Sequence, residues 1–385
     1  MKAKLVLLLL AVAAVAIAAL TGSLRKSRLR VGVLLPFSGP NAAYGLGMRN
    51  SIRLAVEEAN ARGGVEGHKI ELVELDDASD RKKAEEGAKA LVSDPKMLAA
   101  IVNFDDDTAP TTRAIFMNQL PTVIAGLIDR TPIENGGPGE LRFLPDGFTL
   151  EQPLANYAWN TLGLRRFVWG SDETSFGIQM MRMLRQGLGL LGHTKGAGVA
   201  YRIERGATDF KKQLDWTFEH NAEYVQFGGE PREAALFLKA LRAAGYQGVF
   251  EAGLHTLSQE FIDLAGPDAE GTLRAFPGLP ADSFPSGKAY LEAYANHHFQ
   301  EPPTEFGIFA YAEAQALISA MGQSLLTRAS IAGAMHHEAL VTALGAVRAD
   351  YLASSYHSIA IYRVEHGRWV PIYTATDKDR PSASD

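Results

Sequence analysis

The chain has 385 residues, of which 46% are hydrophobic and 21% are charged, as in ordinary globular proteins. The length predicts two or three domains with a sizeable buried core. A formal net charge of -6 argues against nucleic acid as a partner, because phosphate binding requires clustered lysine and arginine. The chain has no cysteine, so burial and not disulfides must stabilise it.

The N-terminus has the layout of an export signal. A short basic start precedes an unbroken apolar run from Leu5 to Leu20, and polar residues follow. Residues 1–24 are therefore predicted to be a signal peptide, with Ala16-Ile17-Ala18 as a cleavage site, or an uncleaved membrane anchor. Both alternatives stay open, because the apolar run is close to the roughly 18 to 20 residues that span a bilayer. Either one predicts a periplasmic or other extracytoplasmic location.

Residues 20–23 are similar to the lipid-attachment motif of exported lipoproteins, but Ser23 stands where the acylated cysteine would be. Without a thiol the chain is not expected to be a lipoprotein. The basic stretch from Arg25 to Arg30 is interpreted as a solvated linker. The alternative is contact between an uncleaved anchor and anionic lipid head groups.

Apolar strand patterns alternate with helical patterns in the first part of the chain. Strands are predicted at 29–36, 69–75, 98–102 and 121–125, and helices over 48–61, 85–92 and 111–118. This alternation predicts a parallel sheet with crossover helices.

A second run with the same plan begins at residue 165. Strands are predicted at 165–170, 198–202, 224–227 and 248–252, and helices over 178–190, 210–220 and 233–244. In each half an aromatic-glycine pair opens the first helix, namely Tyr44-Gly45 and Phe176-Gly177. Because ligands of open α/β sheets lie beyond the carboxyl ends of the strands, Tyr44 and Phe176 are predicted to line a cleft between two doubly wound α/β halves.

The C-terminal part combines a loop, two helices and a hairpin. Residues 272–282 are rich in proline and glycine and are interpreted as a loop, whereas 287–298 and 306–321 are predicted helices. Residues 356–364 and 368–373 are predicted to pair as a hairpin.

No strong catalytic signature is present. The sequence lacks a phosphate-binding loop, a zinc-protease helix, a nucleophile elbow and any thiol nucleophile. The pairs His297-His298 and His336-His337 lie on predicted helices, where adjacent residues do not share a face. We therefore expect no enzymatic activity, no cofactor and no metal site at these histidines.

Three consecutive carboxylates, Asp105, Asp106 and Asp107, follow the predicted strand that ends at Val102. Two unit charges about 4 Å apart repel by about 4 kcal/mol at an effective dielectric near 20, so the trio needs a cation, a proton or backbone N–H groups. One interpretation is that an aspartate caps the helix that begins near Thr108. A compatible one is that at least one aspartate faces a ligand.

Several motifs together resemble one family. They are Val31 to Pro40 with Tyr44-Gly45, Glu57 to Gly67, Asp76-Asp77, Thr108-Ala109-Pro110, Asp172 with Phe176-Gly177, Gly228-Gly229, Ala243-Ala244-Gly245 and the hairpin at 362–369. Over about residues 29–375 the chain resembles the leucine/isoleucine/valine-binding protein family, which are extracytoplasmic solute receptors of ABC transporters.

The resemblance implies the type I periplasmic-binding fold, in which two doubly wound α/β lobes are joined by three crossovers around a cleft. Lobe 1 would contain residues 29–148 and 279–345, lobe 2 would contain residues 149–278 and 346–376, and residues 377–385 would be a disordered tail. The expected partners are a small-molecule ligand and an ABC permease in the cytoplasmic membrane.

Departures from the family pattern bear on the ligand. In amino-acid-binding members, hydroxyl groups at the positions of Asp105 and Ile128 hold the ligand carboxylate, and an acid at the position of Leu254 holds the ammonium group. An anionic ligand group at Asp105 would meet another anion, which is costly in a closed site. The resemblance therefore implies a small polar neutral or cationic solute, not a standard α-amino acid in the usual pose.

Carboxylates combined with aromatic faces are the groups that hold ammonium ions. The residues expected to bind the ligand are Ser38, Tyr44, Phe104, Asp105, Asp106, Thr108, Gly126, Asp172, Phe176, Glu230, Leu254 and His255. Two alternatives stay open. One is an amide or amino-acid sensor of the same fold without a transport role, and the other is a receptor for a hard metal cation held by the three aspartates.

Overall fold

The computed structural model describes residues 27–126, 139–145, 147–190, 198–257, 259–347 and 359–375. The predicted signal or anchor at 1–24, the predicted tail at 377–385 and Ile128 lie outside these ranges, and so does the side chain of His255. Within them, the chain forms two large sheets that are flanked by helices.

The strands are β1 Leu29–Leu35, β2 Ile70–Asp76, β3 Met97–Val102, β4 Thr122–Ile124, β5 Glu140–Arg142, β6 Phe167–Ser171, β7 Gly198–Arg202, β8 Tyr224–Gly228, β9 Val249–Ala252, β10 Leu273–Phe276, β11 Leu340–Thr342, β12 Gly345–Val347, β13 Ile359–Glu365 and β14 Arg368–Ala375. The helices are α1 Ala42–Ala61, α2 Arg81–Ser93, α3 Ala109–Phe116, α4 Gly147–Asn156, α5 Ser175–Leu190, α6 Lys211–Glu219, α7 Pro231–Ala243, α8 Gln259–Ala265, α9 Gly287–His297, α10 Gly307–Gly322 and α11 Arg328–His337. A π-helical turn, Tyr157–Thr161, follows α4.

Sheet 1 is parallel, with the strand order β2-β1-β3-β4-β5. Alternate residues of β1 enter different cores: Val33 packs with Ile52 of α1, whereas Leu34 packs with Leu91 of α2. Both faces of β1 are therefore covered, which explains why its sequence is a continuous apolar run and not an alternating one.

Sheet 2 has the order β14-β13-β10-β9-β8-β6-β7. Its strands from β10 to β7 are parallel, and β13 pairs antiparallel with both β10 and β14. The predicted hairpin is thus present. The interpretation of 272–282 as a loop is wrong in part, because Leu273–Phe276 forms β10, fully buried between two strands.

The chain passes from sheet 1 to sheet 2 after β5, leaves sheet 2 after β10, and re-enters it at β13 after the separate two-stranded sheet β11-β12. Helices α10 and α11, which lie between β10 and β11 in the chain, contact β3 of sheet 1, so the chain crosses between the two halves three times. This architecture confirms the predicted α/β class with two parallel-sheet lobes. We refer to the parts built on sheets 1 and 2 as lobes 1 and 2, and their residue boundaries stay a prediction.

Helix α1 begins at Ala42, six residues before the predicted start at Met48. Two glycines hid this start, because glycine disfavours helix by about 1 kcal/mol relative to alanine. Close packing explains them: a Cβ on Gly45 would lie 1.8 Å from the carbonyl oxygen of Pro36, and one on Gly47 would lie 2.6 Å from Thr304 Cγ2.

Candidate functional site

Polar residues gather at the carboxyl ends of β1, β2 and β3. The carboxylate of Asp76 accepts hydrogen bonds from the backbone N–H groups of Phe37 at 2.7 Å, Ser38 at 3.1 Å and Ala78 at 2.9 Å. It also accepts one from the Ser38 hydroxyl at 2.6 Å. Ser38, an expected ligand-binding residue, therefore donates its hydroxyl proton within the protein.

Asp76 is a fixed anion in this arrangement. Burial acts to raise its pKa, but the hydrogen bonds from the Ser38 hydroxyl and from the N–H groups of Ala78, Phe37 and Ser38 outweigh burial, so the pKa lies below its ordinary value. The anion holds the loop after β1 against the end of β2.

Asp77 behaves differently although it is adjacent. It is 1% exposed, and burial raises its pKa to about 7. The N–H group of Ser79, which donates to Asp77 at 2.8 Å, opposes this rise, and the charges of Asp105 and Asp76 add to it. Asp77 is therefore partly protonated near neutral pH, and the charge of Asp105 favours its protonated form.

Asn41 connects Asp105 to this cluster. Its Nδ2 donates to Asp105 Oδ1 and to Ser79 Oγ at 3.2 Å. The backbone carbonyl of Asp105 accepts from the N–H group of Ala109 at 3.1 Å and from the Thr108 hydroxyl at 3.2 Å. The Asp105 carboxylate is thereby placed beside the ends of β1 and β2.

Asp105 and Asp107, although they are two residues apart, have different side-chain partners. Thr108, and none of the aspartates, occupies the N-cap position of α3, which corrects the predicted cap. The Asp107 side chain is 46% exposed and lies 3.7 Å from Arg81 Nη2. In the described part of the chain no three His, Cys, Asp or Glu side chains are grouped to hold a metal ion, so the metal alternative has no coordinating set there.

Aromatic rings border the acidic cluster. Tyr44 stacks on Phe104 at a centroid distance of 5.6 Å, and both rings meet Phe306 edge-on at 5.9 and 5.7 Å. Phe306 also lies 5.5 Å from Phe276 of sheet 2, so the rings connect the two sheets. A Cβ on Gly126 would lie 2.5 Å from Phe104, so this expected residue belongs to the same group.

Lobe 2 places Asp172 after β6 and Phe176 at the start of α5. The Asp172 side chain is 1% exposed. It accepts from Thr174 N at 3.1 Å, Thr174 Oγ1 at 2.5 Å and Arg205 Nε at 3.1 Å. Phe176 is half-buried. Asp172 thus holds its own loop and Arg205 in place.

Sequence analysis missed Arg205. Its Nη2 donates to Glu230 Oε1 at 3.3 Å, so Glu230 forms an ion pair. A usable signal existed, because Glu204, Arg205 and Gly206 follow β7 after the single residue Ile203, and the carboxyl ends of parallel strands form one edge.

Leu254 begins a short 3-10 turn, Leu254–Leu257, after β9 and is 1% exposed. Leu254, which the resemblance aligns with an acid of amino-acid-binding members, is thus a buried apolar side chain. The expected residues form two groups. Ser38, Tyr44, Phe104, Asp105, Thr108 and Gly126 lie at the edge of sheet 1, and Asp172, Phe176, Glu230 and Leu254 lie at the edge of sheet 2.

Known proteins share this architecture. A family model described as periplasmic binding protein matches residues 28–373. The chain belongs to the periplasmic binding protein family. Its curated relatives are named as binding proteins, not as enzymes.

Two curated relatives illustrate the relationship. An amino acid binding protein of Pseudomonas aeruginosa is 28% identical over 294 residues, which cover 75% of this chain and 77% of that protein. The Leu/Ile/Val-binding protein of Escherichia coli is 27% identical over 301 residues, which cover 77% of this chain and 80% of that protein.

Solved structures show the same fold. A leucine binding protein, LivK, from Thermotoga maritima aligns with a TM-score of 0.80 at 23% identity over 91% of this chain and 100% of its own. A solute binding protein from R. palustris, solved with benzoate, aligns with a TM-score of 0.78 at 18% identity over 91% of this chain and 97% of its own.

Membership of the periplasmic binding protein family implies an extracytoplasmic location. Among the residues that the structure describes, no helix is both long and apolar enough to span a membrane.

Proposed function

We propose that this periplasmic binding protein captures a small polar neutral or cationic solute, not a standard α-amino acid in the usual pose, and delivers it to an ABC permease. One observation carries the proposal. The carboxylate of Asp105 lies at the edge of sheet 1, hydrogen-bonded to Asn41 and close enough to Asp77 to raise its pKa. A ligand carboxylate at this place would lie close to the acids Asp105, Asp76 and Asp77, whereas a hydrogen-bond donor would be stabilised there.

Lobe closure would provide the capture step. The three crossings between the sheets allow a hinge motion, and the solute shifts the equilibrium toward the closed form by its higher affinity for that form. Tyr44 and Phe176, at the starts of α1 and α5, would contact the solute from opposite lobes. The half-buried state of Phe176 agrees with such a position.

The sensor alternative has the same fold and site and differs in its partner. A retained segment 1–24 would favour it, whereas a cleaved product would favour transport. Mass spectrometry of the mature protein distinguishes the two.

The proposal predicts that Asp105→Asn weakens solute binding at least tenfold, which corresponds to about 1.4 kcal/mol. The measurement is a thermal-shift panel of amines, quaternary amines, amides, polyols and branched-chain amino acids on the full chain. A solute at about 100 times its Kd stabilises the folded state by about 2.7 kcal/mol and raises the melting temperature by several degrees.

Asp107→Asn is the matched control, because it removes the same charge from a side chain two residues further along the chain. The Asp107 side chain is exposed and pairs with Arg81. We expect the affinity of this variant to equal that of the wild type. Stabilisation by leucine or valine that persists in Asp105→Asn would show that the protein binds branched-chain amino acids without Asp105, and would contradict the proposal.

A further inference from the structure

Arg205 joins the loops that follow three neighbouring strands of sheet 2. It follows β7, its Nε donates to Asp172 at 3.1 Å after β6, and its Nη2 donates to Glu230 at 3.3 Å after β8. The strand order β8-β6-β7 makes these strands adjacent. The guanidinium group therefore lies across the carboxyl edge of the sheet, where ligands of open α/β sheets bind.

The three charged side chains of this ion-pair network differ in their exposure to solvent. The side chains of Asp172 and Glu230 are 1% and 22% exposed, whereas that of Arg205 is 46% exposed. Burial acts to lower the pKa of Arg205, but the hydrogen bond to Asp172 and the charges of Asp172, Glu230 and Glu233 outweigh it, so the pKa is raised. Within this network the most exposed group is thus the Arg205 guanidinium, which stays cationic.

The guanidinium group also retains hydrogen-bonding capacity. Arginine carries five N–H donors and accepts no hydrogen bond. Its Nε and Nη2 are engaged by Asp172 and Glu230, and Nη1 has no hydrogen-bond partner among the described residues. A carbonyl, carboxylate or hydroxyl oxygen on a solute would satisfy the remaining donors.

The two lobes therefore present opposite chemistry to the cleft. The edge of sheet 1 carries the carboxylate of Asp105, with the acids Asp76 and Asp77 beside it, and the edge of sheet 2 carries the guanidinium donors of Arg205.

We infer that Arg205 determines specificity, and that the solute is net-neutral, with an N–H or O–H donor placed at Asp105 and an oxygen acceptor placed at Arg205. The inference rests on the proposed function and narrows its solute class. A solute with two cationic ends would face the guanidinium group with a cation, and one with two anionic ends would face Asp105 with an anion. Each mismatch places like charges together in a closed site, which is unfavourable.

The test compares solutes that share a carbon skeleton and differ only in their ends. One set is 5-aminopentanoate, pentane-1,5-diamine and pentanedioate, and sets of three and four carbons vary the length. Calorimetric titration of the full chain is expected to show that the amino acid of at least one length binds at least tenfold more tightly than its matched diamine and diacid. Equal affinities within every set, or no binding by any amino acid, overturns the inference.

Arg205→Met is expected to weaken binding of that amino acid at least tenfold and to improve binding of the diamine relative to it. The reason is that the cation is then lost, whereas the acids Asp172 and Glu230 that pair with it remain at this edge. A purely structural role for Arg205 would not change the ranking of the solutes. Wild-type ranking in Arg205→Met would therefore refute a role in specificity.

Arg166→Met is the matched control. It removes the same charge from the opposite edge of the same sheet, where Arg166 pairs with Glu223 at 2.8 Å, and it is expected to leave the ranking unchanged. Arg205→Lys keeps the charge and is expected to keep the amino-acid preference. Arg205→Lys also tests the inference if Arg205→Met does not fold. Because the lysine keeps the charge, loss of the amino-acid preference in this variant would contradict the inference.

Asp105→Asn separates this inference from the proposed function. If binding is lost in Asp105→Asn but the ranking is unchanged in Arg205→Met, the specificity role fails and the proposed function stands. If Asp105→Asn binds as the wild type does, the proposed ligand contact fails, whatever Arg205→Met shows.

Discussion

Glu313 is a fully buried acid on α10, surrounded by the apolar residues of that helix. Neither of its carboxyl oxygens has a hydrogen-bond partner among the described residues, and burial raises its pKa well above the ordinary value. A buried polar group without a partner costs about 1–3 kcal/mol. We therefore expect Glu313→Met, which has a similar volume, to increase the free energy of unfolding by about 1–3 kcal/mol at pH 8, measured by denaturant titration.

The sign of the pH dependence follows from the raised pKa. The folded state of the wild type binds the Glu313 proton more tightly than the unfolded state does. The stability that this proton contributes is fully present below the ordinary pKa and is lost as the pH rises through the folded pKa. Glu313→Gln is the control, because it keeps the polar atoms and removes the titration. If the stability of this variant has the same pH dependence as that of the wild type, the pKa of Glu313 does not differ between the folded and unfolded states.

At the scale of elements, glycines decide how closely helices approach the strands. Gly45 lets α1 pass the carbonyl oxygen of Pro36, which a Cβ would approach to 1.8 Å, and Tyr44 beside it stacks on Phe104. Gly45→Ala is expected to lower the free energy of unfolding by about 1–3 kcal/mol, because the helix must move away from the sheet.

Gly333 on α11 provides the matched control. A Cβ there would meet nothing within 4 Å, so Gly333→Ala is expected to stabilise the protein by about 0.5–1 kcal/mol through helix propensity alone. Differential scanning calorimetry of the two variants should show melting temperatures that change in opposite directions. Equal decreases in the melting temperature of the two variants would mean that the close approach of Gly45 to Pro36 does not cause the destabilisation by Gly45→Ala.

At the scale of the whole molecule, buried acids in both lobes make stability depend on pH. Burial raises the pKa of Asp77 in lobe 1 to about 7. Burial also raises the pKa of Glu151 in lobe 2 to about 7, although Arg274, with Nη1 3.9 Å from Glu151 Oε1, opposes the rise. Both acids bind a proton more tightly in the folded state, so stability is expected to fall between pH 5 and pH 8.

Each of these acids contributes a slope of up to about 1.4 kcal/mol per pH unit between its ordinary pKa and its folded pKa. Denaturant titrations at pH 5, 6, 7 and 8 measure this slope, and Asp77→Asn with Glu151→Gln should reduce it. Below about pH 4 stability is expected to decrease as the pH falls further. The pKa of Asp76 is lowered in the folded state, so the stability that its anion contributes is lost when it is protonated. Stability that rises between pH 5 and pH 8 would contradict these assignments.

Agreement between sequence and structure depended on the length and burial of each element. Strands β1 and β3 are buried on both faces and appear as apolar runs, so they were predicted closely. Strand β5 has three residues and β10 has four, so neither forms a periodic pattern, and only pairing with neighbours defines them. Helix α4 was missed because Pro153 lies inside it, where proline normally interrupts a helix.

The candidate site was predictable as a location and less so as a set of charges. The rule that ligands bind at the carboxyl ends of parallel strands predicts that Tyr44 and Phe176 line the cleft, and the structure has both at the starts of helices that follow such strands. The rule did not reveal that Arg205 pairs with Glu230, or that Asp77 has a pKa near neutrality.

By itself, the sequence determined the α/β class, the two repeated halves and the lack of any thiol for disulfides or lipid attachment. These properties depend on residue types and on periodicity over a few residues. Tertiary structure alone decided the strand order, the added strand β10 and the pairing of charges. The physical reason is distance along the chain: Asn41 and Asp105 are 64 residues apart and Arg205 and Asp172 are 33 apart, so only folding brings these groups into contact and sets their burial.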